Sequence, residues 1–105
     1  MQYLVPFLVD ADRNPVGLFS VNTSSGPLVF IFSNKASWTR FATVVAPVLA
    51  KSEQYIGSTP FQAASIDDVA EQLVQIDPTL DGSATFVPDT APILDDVVTF
   101  FEQSV

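Results

Sequence analysis

Apolar residues fall into three short runs in the first third of the chain. Residues 2 to 9 are almost all β-favouring, a cluster of turn residues follows, and residues 16 to 21 and 28 to 32 form two further runs. Runs of this length separated by turn residues predict three strands joined as an antiparallel meander. Because Pro6 has no backbone N–H, the first strand is predicted to lie at a sheet edge or to carry a bulge.

The hydrophobic spacing changes to a helical period after the third run. Asn34 can cap a helix start, and the next apolar residues follow at i, i+3, i+4 and i+7, which predicts one buried helix face. Those residues are Trp38, Phe41, Ala42 and Val45. Pro47 is predicted to end this helix within a turn.

The second half contains two more helical patterns around one short strand. Ser65 and Asp68 resemble a capping box, and a helix is predicted from there to the Asp77-Pro78 pair. Residues 84 to 87 predict a strand, and a last helix is predicted after it, with Asp89 or Thr90 as its cap. Between the first two helices, residues 48 to 64 predict only a short strand at 54 to 56 within a loop.

These elements predict one α+β domain covering residues 1 to 105. Their order is β-β-β-α-(loop)-α-β-α, and no internal repeat is visible. The predicted architecture is an antiparallel sheet of about four or five strands with helices packed on one face.

Composition indicates a surface that is short of charge. Hydrophobic residues make up 48% of the chain and charged residues 15%, and the mean hydropathy is +0.33. With so few charges, apolar area is expected to stay exposed, which favours a homo-oligomer or a stable protein partner. The alternative is that Ser, Thr, Gln and Asn cover the surface.

The charges are also distributed unevenly. Residues 1 to 52 hold four basic and two acidic residues, whereas residues 53 to 105 hold ten carboxylates and no base, for a net charge of −8. Such a chain repels phosphate, so nucleic acid and anionic membrane are poor partners and a basic protein surface is a better one. The alternative is that the acidity serves only solubility.

The residue types exclude several chemistries. The chain has no histidine and no cysteine, which rules out Ser-His-Asp and Cys-His catalysis and ordinary zinc sites. Asp10, Asp12 and Asn14 imitate the start of a calcium loop, but Pro15 and Val21 occupy the positions that need glycine and glutamate. Adjacent carboxylates in the helical segments, Asp67 with Asp68 and Asp95 with Asp96, are typical of helix first turns.

We therefore predict no enzyme activity, no metal and no cofactor. No apolar run of eighteen residues occurs, and the N-terminus lacks the basic region of a signal peptide. A cytoplasmic location and no membrane partner are the corresponding expectations.

The candidate contact residues lie where the third strand passes into the first helix. They are Asn34, Lys35, Trp38 and Arg40. Backbone amides at a helix start can hold an anion, and the two cations would add charge, so a protein partner or a small anion could bind there. The competing interpretation is that Trp38 belongs to the core.

Three segments resemble the SseB N-terminal domain family, the serine-sensitivity-enhancing proteins. PLVFIFSNKASWTRFA, at 27 to 42, resembles the family's strand and short helix; GSATFVPD, at 82 to 89, resembles a later strand; Tyr3-Leu4-Val5-Pro6 resembles the first strand. The chain departs from the family at Ile31 to Asn34 and at Val87 to Asp89. The resemblance implies an α+β interaction or regulatory domain with no established catalytic role, and no active-site residues carry over.

Two functions follow as expectations. The first is a non-catalytic protein-interaction or regulatory module that self-associates or binds a partner. The alternative is a small acidic antagonist, an immunity or inhibitor protein, whose anionic residues 53 to 102 mask a basic site on a target.

Overall fold

A computed structural model describes residues 1–104 and shows an α+β fold. Its six strands are β1 (Gln2–Val9), β2 (Pro15–Leu18), β3 (Val21–Thr23), β4 (Gly26–Ile31), β5 (Tyr55–Gln62) and β6 (Thr85–Pro88). Its helices are α1 (Lys35–Ala50), α2 (Ile66–Ile76) and α3 (Ile93–Gln103), with a single 3-10 turn at Pro78–Leu80.

The strands form two three-stranded sheets. One sheet has the order β2-β1-β5 and is antiparallel, and the other has the order β3-β4-β6, with β6 parallel to β4. Leu4 and Phe32 join the two sheets through reciprocal backbone hydrogen bonds of 2.7 and 2.8 Å. The predicted single antiparallel sheet of four or five strands is therefore wrong in detail. The parallel pair arises because α1, β5 and α2 all intervene between β4 and β6, which allows a crossover rather than a hairpin.

Pro6 lies in a central strand, contrary to the predicted edge position. β1 has β5 along one side, while its other side is shared between β2 and the end of β4. The carbonyl of Pro6 accepts the Phe19 N–H at 3.1 Å, so the Pro6 nitrogen also faces Phe19. Phe19 lies just beyond β2, where the neighbour of β1 changes from β2 to the end of β4. Because Pro6 has no N–H, the reciprocal bond that would complete this antiparallel pair with Phe19 is absent, and β2 ends one residue earlier, at Leu18. The other predicted alternative, a bulge in the first strand, agrees with a register shift in the pairing of β1 with β2, which lies between Leu8 and Val9 and not at Pro6 itself.

Helices cover both faces of the sheets, so their predicted placement on one face is wrong. Side chains alternate along β4, and Leu28, Phe30 and Phe32 pack beneath α1 and α3, whereas Val29 and Ile31 pack beneath α2. The continuous apolar run of β4 has this cause, because a strand buried on both faces has no polar side.

Several predicted boundaries agree with the structure. Asn34 caps α1 by accepting the Ala36 N–H at 2.7 Å, and α1 ends three residues after Pro47. Ser65 caps α2 at its predicted start, and Asp77 ends it. The single strand expected at 16 to 21 is an exception, because it is interrupted at Phe19 and Ser20, which belong to no strand, and so forms β2 and β3.

Two predictions in the second half are wrong. Residues 48 to 64, predicted mainly as loop, contain the end of α1 and the eight-residue strand β5, which pairs with β1 along its whole length. It is an edge strand with Pro60 and mostly half-exposed side chains, so it lacks a strong hydrophobic pattern. In addition, neither Asp89 nor Thr90 caps α3, which begins after Pro92 with no side-chain cap.

Candidate functional site

The Asp89 carboxylate lies at the start of α1, where the sequence predicts a protein partner or a small anion. Oδ2 accepts the backbone N–H groups of Ser33 and Asn34, both at 3.1 Å, and Oδ1 accepts the Ser33 hydroxyl at 3.0 Å. Asp89 follows β6 directly, so the parallel pairing of β6 with β4 delivers it to this point. The backbone of Asp89 also donates to the carbonyl of Ile31 at 3.1 Å.

The polar residues at the start of α1 bind the Asp89 carboxylate of the same chain, and we call this the Asp89 contact. The N–H groups of Ser33 and Asn34 are paired with Asp89, and that of Ala36 is paired with the Asn34 side chain, so these donors do not need a bound anion. An internal carboxylate at a helix start satisfies the same orphan donors that a bound phosphate would. The Asp89 contact joins the start of α1 to the end of β6, and Asn34 and Asp89 are 55 residues apart in sequence.

Trp38 is half-buried and packs inward. Its ring lies 5.5 Å from the ring of Phe32 and 6.2 Å from that of Phe41, measured between centroids. Both neighbours are fully buried, so this edge of the indole belongs to the core beneath α1. The geometry favours the core interpretation of Trp38.

The two cations of the candidate site differ in their surroundings. Arg40 pairs with Asp95 of α3 at 2.6 Å, and this is the one ion pair within residues 1–104. Lys35 is exposed and makes no ion pair with any other residue that the structure describes. The four predicted contact residues therefore share a region but do not converge on one site.

The ion pair at Arg40 is expected to contribute little to stability. Its two side chains are 53% and 69% exposed, and exposed pairs are screened by water and salt. We predict that Arg40→Gln lowers the free energy of unfolding by less than about 1 kcal/mol, as measured by urea denaturation. A loss well beyond that value would show that Arg40 has a structural role that this geometry does not explain.

Other acidic side chains accept hydrogen bonds from backbone N–H groups. Asp10 accepts the N–H groups of Asp12 and Asn14, both at 2.9 Å, and closes the β1–β2 turn. Asp68 accepts the Ala64 N–H at 3.2 Å, and Asp77 accepts from Thr79. In the part of the chain that the structure describes, no group of three or more acidic residues converges on a metal position.

An exposed apolar surface lies between α3 and the edge strand β3, and we call it the α3 patch. Phe100 is 63% exposed and Ile93 is 37% exposed on the same side of α3. They border a cleft of about 310 Å³. The α3 patch consists of Val21, Asn22, Thr23, Ile93, Asp96, Val97 and Phe100.

The spacing of two large apolar residues in the sequence indicates the α3 patch. Ile93 and Phe100 are seven residues apart, which is two helical turns, and so they share one side of α3. The inner face of α3 consists of Leu94, Val97, Val98 and Phe101, and all four are buried. Two further large apolar residues beside a complete buried face indicate a second apolar side, which is what the structure shows.

A second apolar groove lies on the opposite side of the molecule, between β2 and α2. It has a volume of about 380 Å³ and is bordered by Val16 and Ile76, which are 65% and 61% exposed. Leu73, at its base, belongs to the core cluster beneath α2. This groove and the α3 patch are therefore separate surfaces.

The chain matches no protein-family model, no curated protein and no solved structure. The resemblance to the SseB N-terminal domain therefore stays a prediction. Among residues 1–104, no helix is long and apolar enough to cross a membrane.

Proposed function

We propose that this chain is a non-catalytic protein-interaction module, located in the cytoplasm, whose α3 patch binds a protein partner. The observation that carries the proposal is Phe100, a large aromatic side chain held mostly in water at the rim of an apolar cleft. Exposed aromatic residues beside a cleft are typical of protein interfaces and of their energetic centres.

The exposed ring offers a useful amount of binding free energy. A phenylalanine side chain has about 200 Å² of surface, so 63% exposure leaves roughly 130 Å² open to water. Covering that area contributes about 3 kcal/mol at ~25 cal/mol per Å². One anchor of this size, with Ile93 beside it, suits a transient interface better than an obligate one.

Charge defines the kind of partner that fits the α3 patch. Asp96 lies within the patch, Glu102 follows on the same helix, and α3 contains no basic residue. Phosphate would be repelled, and a second copy would bring like charges together. A protein surface with an apolar centre and lysine or arginine at its rim is complementary.

We predict that Phe100→Ser removes partner binding and leaves the fold intact. Columns carrying the wild-type chain, Phe100→Ser and Ile76→Ser are compared for proteins retained from an extract of the source cells. Ile76 is a matched control, since it is 61% exposed on the separate groove. A retained protein is then purified, and its Kd for Phe100→Ser should be at least tenfold weaker than for wild type.

The same experiment can contradict the proposal. If every retained protein binds wild type and Phe100→Ser equally, the α3 patch is not the interface. Circular dichroism of each variant confirms that any lost binding is not caused by unfolding.

A second candidate function is the acidic antagonist, an immunity or inhibitor protein that masks a basic site. It is favoured by the ten carboxylates after residue 52, of which one, Asp95, has a basic partner among the described residues. Against it, the acids of α2 and α3 lie on opposite faces of the sheets, so no single face carries all of them. A Kd that weakens steeply between 0.05 and 0.5 M salt favours the antagonist, and a nearly constant Kd favours the apolar module.

A further inference from the structure

Among residues 1–104, the free edge of β5 is the longest strand edge that no other strand occupies. β5 is eight residues long and pairs with β1 on one side. Residues 54 to 65 contain no charged side chain, in a chain whose net charge is −8. Edge strands are normally protected by charges, prolines, bulges or a covering segment, and β5 has only part of this protection.

The pairing register shows which backbone groups face outward. In β1, Leu4 bonds to Phe32 and Pro6 bonds to Phe19, so the even-numbered residues of β1 point away from β5. The odd-numbered residues of β1 therefore bond to β5, through Tyr55, Gly57, Thr59 and Phe61. It follows that Ile56, Ser58, Pro60 and Gln62 direct their backbone groups to the free edge.

Both ends of this edge are closed. At one end Pro60 has no N–H to donate, and the Gln62 carbonyl already accepts the Gln72 side chain at 3.1 Å. At the other end the Gln54 N–H donates to the Leu49 carbonyl at 3.0 Å. The open part is Ile56 and Ser58, with two donors and two acceptors between them.

We propose that β5 is a homodimer contact, in which a second copy of this chain pairs antiparallel with it about a two-fold axis at Gly57. In that register Ile56 faces Ser58 of the second copy and Ser58 faces Ile56, so all four donors find acceptors. Tyr55, which is 49% exposed, lies opposite Thr59 of the second copy, an aromatic and β-branched pair. The absence of charge on β5 favours a second copy, because two chains of net charge −8 repel each other least where neither surface carries a charge.

Two substitutions on the edge test the register in opposite directions. Ser58→Pro removes an outward donor from each copy while leaving the bonds between β5 and β1, and it should raise the dimer dissociation constant about thirtyfold. Pro60→Thr supplies a new donor that can reach the free Gln54 carbonyl of the second copy, and it should lower that constant about tenfold or more. Phe100→Ser should leave it unchanged, because the α3 patch is a different surface.

The measurements are sedimentation equilibrium and amide hydrogen exchange by NMR on the whole chain. We expect exchange of the Ile56 and Ser58 amides to slow as protein concentration rises, and dimerisation to strengthen with salt, which screens the like net charge. Ser58→Lys should dissociate the dimer, whereas the control Ser52→Lys, with the same charge change outside β5, should not.

Three results would overturn the proposal. They are a monomer at millimolar concentration, a dimer that Ser58→Pro and Ser58→Lys both leave intact, and concentration-dependent protection at amides other than those of Ile56 and Ser58. If Ser58→Pro does not fold, Ser58→Lys alone decides, since a lysine at this exposed position keeps every bond between β5 and β1.

Discussion

Phe41→Ala is expected to cause a large loss of stability in this domain. Phe41 is fully buried beneath α1, and its ring lies 5.2 to 6.5 Å from five other aromatic rings. These rings belong to Phe19, Phe30, Phe32, Trp38 and Phe101. Truncation of such a residue leaves a cavity that its neighbours cannot fill, and the expected loss is about 4 kcal/mol of the free energy of unfolding.

The measurement is urea denaturation, with Phe100→Ala as the matched control. Phe100 is the same residue type on α3 but is 63% exposed, so its truncation should cost less than about 1 kcal/mol. A domain of this size is stable by about 5 to 15 kcal/mol, so a loss of about 4 kcal/mol is a large fraction of the total and is readily measured. If the two alanine variants were equally stable, the packing beneath α1 would not be as described.

Asp89→Ala is expected to have the second largest effect. It removes the acceptor of three hydrogen bonds and leaves the N–H groups of Ser33 and Asn34 without a partner at the start of α1. Hydrogen bonds to a charged group contribute more than neutral ones, but Asp89 is only half-buried. We therefore expect a loss of about 2 kcal/mol.

Two further variants distinguish the Asp89 contact from a general effect of charge. Ser33→Ala removes only the hydroxyl contact and should lose about 1 kcal/mol. Asp12→Ala removes an exposed carboxylate whose side chain makes no hydrogen bond in the described chain, and it should change stability by less than about 0.5 kcal/mol. If Asp89→Ala were as stable as Asp12→Ala, the Asp89 contact would not hold α1 to β6.

Local signals predicted most of the elements, and non-local contacts account for most of the errors. The strands β1 and β4 and the caps of α1 and α2 follow from short-range patterns of residue types. The contact of Asp89 with Ser33 joins positions 56 residues apart, and Asp89 had been interpreted as a local cap for α3. A local pattern cannot distinguish a carboxylate that caps its own helix from one that reaches another.

The placement of helices on both faces could have been predicted from β4. Its run of consecutive apolar residues has no polar alternation, which is typical of a strand covered on both sides. β5 is predicted mainly as loop because none of its side chains is buried, so its sequence lacks a hydrophobic pattern, and because Pro60 interrupts the strand pattern. Of the candidate contact residues, Asn34 caps α1 and Trp38 packs against the core, whereas Lys35 and Arg40 are exposed. Phe100 is not indicated by the inner-face pattern of α3, because it lies outside that face.

The most direct test of the account is the Kd of a purified partner for two variants, measured by calorimetry at 0.3 M salt. One variant is Phe100→Ser in the α3 patch, and the other carries both Lys35→Glu and Arg40→Glu at the start of α1. We predict that Phe100→Ser weakens binding at least tenfold and that the double charge reversal changes the Kd by less than about threefold. Binding that survives Phe100→Ser and is lost with the charge reversal would contradict it and place the interface at the start of α1.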